Sequence, residues 1–131
     1  MNKNPAGTII VLLIACLALF GCFIEFDPDN IETAAPYGDG TWSGNVEGVG
    51  EGYIGKIRVA LEISNGVIAE IDIIHFETSN IGGAFIQRVK PLIKKANSFE
   101  IDVITSASCE GTRNGLLEAG RAAIKQIPGV E

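Results

Sequence analysis

The sequence predicts an α+β domain: an antiparallel-rich sheet with a β-hairpin and two helices packed on it. Three observations carry that expectation. Between Gly55 and Ile74 two apolar runs alternate with a period of two on either side of Ser64, Asn65 and Gly66. Phe85, Val89, Leu92, Ile93 and Ala96, and later Leu116, Gly120, Ala123, Ile124 and Ile127, recur at helical spacing. Phe99 to Ile104 alternates again between the two helical stretches and reads as a further strand. Hairpin, helix, strand, helix is the order of a sheet with helices on one face.

The chain begins differently. Residues 1 to 24 hold one charged side chain, Lys3, and Thr8 to Gly21 is an apolar core of 14 residues. A short start ahead of such a core fits a secretory signal peptide over residues 1–21. Leu19, Phe20, Gly21 and Cys22 close it in the manner of a bacterial lipobox, which makes Cys22 the candidate lipidation site. Leu13 to Cys16 is a second solution with a shorter core ahead of it. An uncleaved anchor is the rival, because Thr8 to Ile24 is 17 mostly apolar residues, the lower end of what spans a bilayer. Either solution puts the domain on the outer face of the cytoplasmic membrane or the periplasmic side. Residues 22–36 mix acids, Pro28, Pro36 and alanines without a sustained period and read as a tether. Phe23, Ile24 and Phe26 have the alternative of packing on the domain. That leaves 37–131 to fold.

Tyr37 to Gly52 carries glycines at 38, 40, 44, 48, 50 and 52. Such a run marks an edge strand with bulges, or a loop that something approaches closely. In the hairpin, a two-residue Asn65-Gly66 loop would pair Leu61 with Glu70 and Val59 with Asp72, mixing the faces. A three-residue loop of Ser64, Asn65 and Gly66 pairs Ile63 with Val67, Leu61 with Ala69, Val59 with Ile71 and Ile57 with Ile73. It also sets Arg58 opposite Asp72 and needs Gly66 left-handed. One face is then wholly apolar, so this register is expected despite the Asn-Gly preference for shorter turns. Pro91 falls inside the first helical stretch and is expected to kink or split it. Pro128 and Gly129 stop the second helix.

From Cys22 onward there are 9 basic and 16 acidic side chains, a formal charge of −7. Nucleic acid needs a basic stripe and is excluded as a partner. The same charge keeps a tethered domain soluble and away from anionic headgroups. A mature chain of this size buries roughly 65 % of its unfolded surface, enough for a core without staples. Of the three cysteines, Cys16 leaves with the signal and Cys22 takes the lipid, so Cys109 remains as a lone thiol and a disulfide within the mature domain is excluded by counting.

The run from His75 to Ala84, with Glu77, Thr78, Ile81, Gly82 and Gly83, lies between the hairpin and the first helix. It resembles the H-x-E-T-P-G-I-G loop of the FMN-binding domain family. That family is the flavin-carrying module in subunits of bacterial Na+-pumping and Rnf-type electron-transfer complexes. Tyr37 to Gly44, Ile63 to Ile68 and Asp102 to Ser108 agree in the right order, so the resemblance covers about residues 37 to 127. The family's second loop usually reads S-G-A-T-x-T, and in many members its last Thr or Ser accepts FMN as a phosphoester. Matched without gaps from Asp102, the loop places Thr105, Ser106, Ala107 and Ser108 on S-G-A-T and Glu110 on the acceptor. A carboxylate forms no such stable ester. Matched backward from Asn114 and Gly115, with two extra residues, Thr112 takes the acceptor place, so covalent attachment is doubtful and Thr112 is its candidate. Ser79 and Asn80 stand where the family has Pro and Gly.

FMN presents a dianionic phosphate and a flat ring. Helix N-termini behind glycine loops suit the phosphate, and the chain has two. Ile81, Gly82 and Gly83 lead into the first helix; Thr105, Ser106, Ala107, Ser108, Gly111 and Thr112 lead into the second. With Glu77 and Thr78 these are the expected cofactor-binding residues. Taken singly, the same glycines and serines merely shape loops and cap helices. His75 is either a strand-end hydrogen bonder or a support of the flavin loop. Trp42 is either core or a ring to stack on the flavin. Arg88, Lys90, Lys94 and Lys95 read as a solvated helix face. The resemblance implies a membrane-tethered, extracytoplasmic electron-transfer flavin carrier, with a membrane redox partner, rather than a substrate-converting enzyme. The alternative is a degenerate relative, a lipoprotein with a binding or structural role and no flavin, suggested by Ser106 and Glu110.

Overall fold

The computed structural model describes residues 24–25, 28–101, 103–105 and 107–131. The elements are β1 Ile24–Glu25, β2 Gly44–Glu51, β3 Lys56–Ser64, β4 Val67–Ile74, helix α1 Gly82–Ala96, β5 Ile104–Thr105 and helix α2 Glu110–Ile124, with 3-10 turns at Pro28–Asn30 and Ala107–Cys109. Strands β2, β3 and β4 form an antiparallel sheet in that order. Its inner face gives Val46, Ile57, Val59, Leu61, Ile63, Ile68 and Ile71 to one core with both helices. The fold is α+β.

The hairpin satisfies both demands that the sequence sets against each other. Asn65 and Gly66 have φ of 49° and 75°, both left-handed, as a two-residue type I′ turn requires. Ser64 pairs with Val67 and Ile63 with Ile68; the register then shifts, so that Leu61 faces Ile71 and Val59 faces Ile73. One extra residue on β4 is a bulge, and it restores the apolar face that a plain two-residue loop would scramble. The three-residue loop is therefore corrected, and Arg58 lies opposite Ile74 rather than Asp72. Gly66 is left-handed as expected, and loop 37–43 holds it. Its N–H reaches the Trp42 carbonyl at 2.9 Å and its carbonyl accepts the Tyr37 N–H at 2.7 Å.

Strand β2 pairs with β3 residue for residue from Gly44–Ile63 to Glu51–Lys56, with no bulge. What approaches its glycines is α2. A Cβ on Gly48 or Gly50 would overlap the backbone carbonyl of Ala119 or Gly115. Gly115, Ala119 and Ala123 are buried along the facing side of the helix. Small residues on both partners let helix and strand backbones touch. Trp42 packs partly buried against this core, against Gly44, rather than on an open ring site.

Helix α1 runs unbroken through Pro91, against the expected split. Gln87 and Pro91 are both exposed, so the carbonyl that loses its partner lies on the water side. Asn97 ends the helix at φ 49°. It is 1 % exposed, and its Oδ1 accepts the Ile68 N–H of edge strand β4 at 2.8 Å. From Phe99 to Val103 the expected alternation persists, with Phe99 and Val103 buried, but among the described residues only Ile104 and Thr105 join a ladder, and with β1 rather than the main sheet. Phe99 instead lays its ring on Gly120. The later part of the expected tether also touches the domain: Ile31 packs on the core and the Ala34 N–H donates to the Ala96 carbonyl at 2.8 Å.

Candidate functional site

The site lies where the β2–β3 turn, the loop after β4 and the starts of both helices meet. Its organiser is Glu77, 7 % exposed. Its carboxylate accepts the Tyr53 N–H at 2.7 Å and the Ile54 N–H at 3.3 Å. These amides belong to the turn that Gly52 and Gly55 close, N–H to carbonyl, at 2.7 Å. A buried carboxylate is costly unless it is hydrogen-bonded, and here two backbone donors serve it. The Glu77 N–H in turn donates to His75 Nδ1 at 3.1 Å, which makes His75 a strand-end hydrogen bonder supporting this loop.

The loop then tightens on Thr78. Its carbonyl accepts the Ile81 N–H at 3.3 Å and the Gly83 N–H at 2.8 Å, leaving the side chains of Thr78, Ser79 and Asn80 exposed. Gly82 is buried where α1 begins; a Cβ on it would come within 2.5 Å of Thr112 Oγ1 and 2.8 Å of Glu77 Cβ. Gly83 faces back to the Thr78 carbonyl and His75. Across the gap Cys109 Sγ is 3.9 Å from the Ile81 carbonyl oxygen. Gly111 sits against Tyr53, whose Cβ is 3.2 Å from the place of a Cβ there. Glu77, Ile81, Gly82, Gly111 and Thr112 are thus brought together.

The remaining expected residues are placed differently. Ala107 and Ser108 are exposed on the 3-10 turn ahead of α2. Thr105 is engaged in the β5–β1 ladder opposite Ile24. Ser106 and Cys22 lie outside the described residues. Thr112 is 1 % exposed and packed against Gly82; an acceptor hydroxyl must reach a phosphate, and this one is under the start of α1. Cys109 is buried and disulfide-bonded, which corrects the expectation of a lone thiol. Lys94 meets Glu70 at 3.4 Å on the surface, as suits a solvated helix face.

The chemistry available fits a phosphate at α2. Neither Ile81 nor Cys109, the residues ahead of the two helices, makes a side-chain capping bond, and the positive end of a helix attracts an anion. At the start of α1 the Gly83 amide donates to the Thr78 carbonyl. Ser108 is an exposed residue of the 3-10 turn, and Gly111 adds no side chain. Glu110, the first α2 residue, is exposed, so its carboxylate can remain in water. Tyr53 and Ile54 were not singled out by sequence, although Gly52 and Gly55 around them signal a tight turn. What marks them is the Glu77 carboxylate, 23 or 24 positions away.

No curated protein matches the chain. The model of the FMN-binding domain matches residues 52–125, a span that holds the β2–β3 turn, the Glu77 loop and both helix starts. The chain belongs to the FMN-binding domain family, and FMN is its cofactor.

Proposed function

We propose that this protein is an electron-transfer flavin carrier, tethered through a lipid on Cys22 outside the cytoplasmic membrane and working beside a membrane redox partner. The observation that carries the flavin part is the convergence of the start of α2 with Gly82, Gly111 and Glu77. Amides of the α2 start and the Ser108 hydroxyl would hold the phosphate, and Gly111 lets Tyr53 stand close beside it. Burial of Thr112 under Gly82 favours non-covalent retention. When bound, FMN supplies the redox chemistry, and the protein supplies orientation and potential.

The carrier reading is supported by how the site's titratable groups are used. His75 Nδ1 is taken by the Glu77 N–H, and the Glu77 carboxylate by the Tyr53 and Ile54 N–H groups. Both groups are used to build the loop, and an electron carrier needs no side chain to move a substrate proton. An N-terminal lipid would confine the domain to the membrane surface and raise its effective concentration at a partner there. The acidic surface would hold it off anionic headgroups.

The test is to load purified protein with FMN, with and without a flavin transferase, then denature it and scan the supernatant and the intact mass. Flavin released to the supernatant, with no mass adduct, is expected. Pure, folded protein that stays flavin-free in both arms would overturn the carrier and favour a flavin-free lipoprotein.

A further inference from the structure

We infer that Tyr53, with Phe76 beside it, forms the wall on which the flavin ring stacks, and that Glu77 is the positioning residue that holds this wall in place. The inference rests on the FMN reading above and assigns residues to its ring subsite.

Tyr53 is 78 % exposed and Phe76 is 73 % exposed, with Ile54 and Ile74 also open at 51 % and 53 %. Aromatic side chains normally bury most of their area, and a cluster of open ones marks a binding surface. These four are gathered at one end of the sheet. Phe76 Cδ2 lies 3.7 Å from where Gly55 would carry a Cβ, which puts it on the turn that presents Tyr53.

The turn is built as a fixed mount. Gly52 and Gly55 close it, and both central amides, Tyr53 and Ile54, donate to the buried Glu77 carboxylate. A loop that merely linked β2 to β3 would not need a buried carboxylate to hold it. Tyr53 stands against Gly111 in the first turn of α2, the turn proposed to take the phosphate. One ligand with a phosphate at one end and a flat apolar ring at the other matches that juxtaposition. Stacking on an open tyrosine also suits a carrier, because the ring's outer face and edge stay accessible to a partner.

The experiment uses the full chain with FMN as the probe, reading affinity, flavin fluorescence and midpoint potential for wild type, Tyr53→Leu, Tyr53→Trp and Phe76→Leu. Stacking contributes enough that Tyr53→Leu should weaken FMN about 3- to 10-fold. It should also relieve the quenching of bound flavin and shift its potential, with the melting temperature unchanged. Tyr53→Trp should restore quenching and affinity. Glu77→Leu should reproduce the Tyr53→Leu spectrum while Tyr53 is present, and Glu77→Gln, which keeps an acceptor oxygen, should recover part of it. Wild type that binds quenched FMN while Tyr53→Leu and Phe76→Leu match it in affinity, emission and potential would overturn the inference and leave the FMN reading standing. That result would move the ring to another part of the surface. Wild type that takes up no FMN would overturn both.

Discussion

Gly48 of β2 lies directly under the Ala119 carbonyl of α2, with no room between them for a methyl group. The strand and the helix touch through their backbones. This contact sets how α2 lies on the sheet, and so where the start of α2 stands relative to Tyr53 and Glu77.

Gly48→Ala should therefore be more harmful than a surface substitution of equal size. The new Cβ meets backbone, which cannot rotate away, so overpacking should cost about 3 kcal/mol or more. Chemical denaturation checks it, with Val49→Ala on the exposed side of the same strand as the control.

Gly66→Val tests the turn. A β-branched residue is disfavoured at φ 75°, and a Cβ there would lie 2.7 Å from the Tyr37 carbonyl oxygen. A loss of about 2 kcal/mol in unfolding free energy is expected. Unchanged stability would mean that the type I′ geometry is wrong.

Asn97 does two jobs that substitutions can separate. Asn97→Gly keeps the left-handed cap of α1 but strands the Ile68 N–H, and should cost about 1–3 kcal/mol. Asn97→Leu loses both and should cost more. Equal effects of the two in thermal melts would show that the bond to Ile68 contributes nothing beyond conformation.

At the phosphate end, Ser108→Asp should abolish FMN retention by setting a charge against the phosphate. Loss of a bond to a charged group is worth about 1.5–3 kcal/mol, so Ser108→Ala should weaken binding roughly 10- to 100-fold. Thr112→Val should leave non-covalent binding near wild type. A mass adduct present in wild type and missing in Thr112→Val would instead make Thr112 a covalent acceptor.

Fatty-acid labelling addresses the anchor. If Cys22 carries the lipid, Cys22→Ala should remain unprocessed and unlabelled, and Cys16→Ala should label normally. Unlabelled, unprocessed wild-type protein would overturn the lipid anchor.

Local pattern made much of this readable. The alternation of Ile57, Val59, Leu61 and Ile63 names the inner face of β3, and the spacing of Phe85, Val89 and Ile93 names the buried side of α1. Each depends on neighbours a few positions apart. The ordered loops from His75 to Gly83 and from Thr105 to Thr112 point to FMN through their resemblance to the FMN-binding domain family, which local sequence carries wherever the helices lie.

Three matters waited for the tertiary structure. The bulge in β4 was hidden because a register slip of one residue is decided by the whole apolar face, including partners on both helices, and not by the turn dipeptide. Phe99 to Val103 has a strand's alternation but packs beneath α2, where Gly120 makes room for the Phe99 ring. The job of Glu77 is set by amides at Tyr53 and Ile54, distant in sequence. Only closure of the sheet brings that carboxylate and those donors together, because burial of a charge is resolved by whichever hydrogen-bond donors the fold delivers to it.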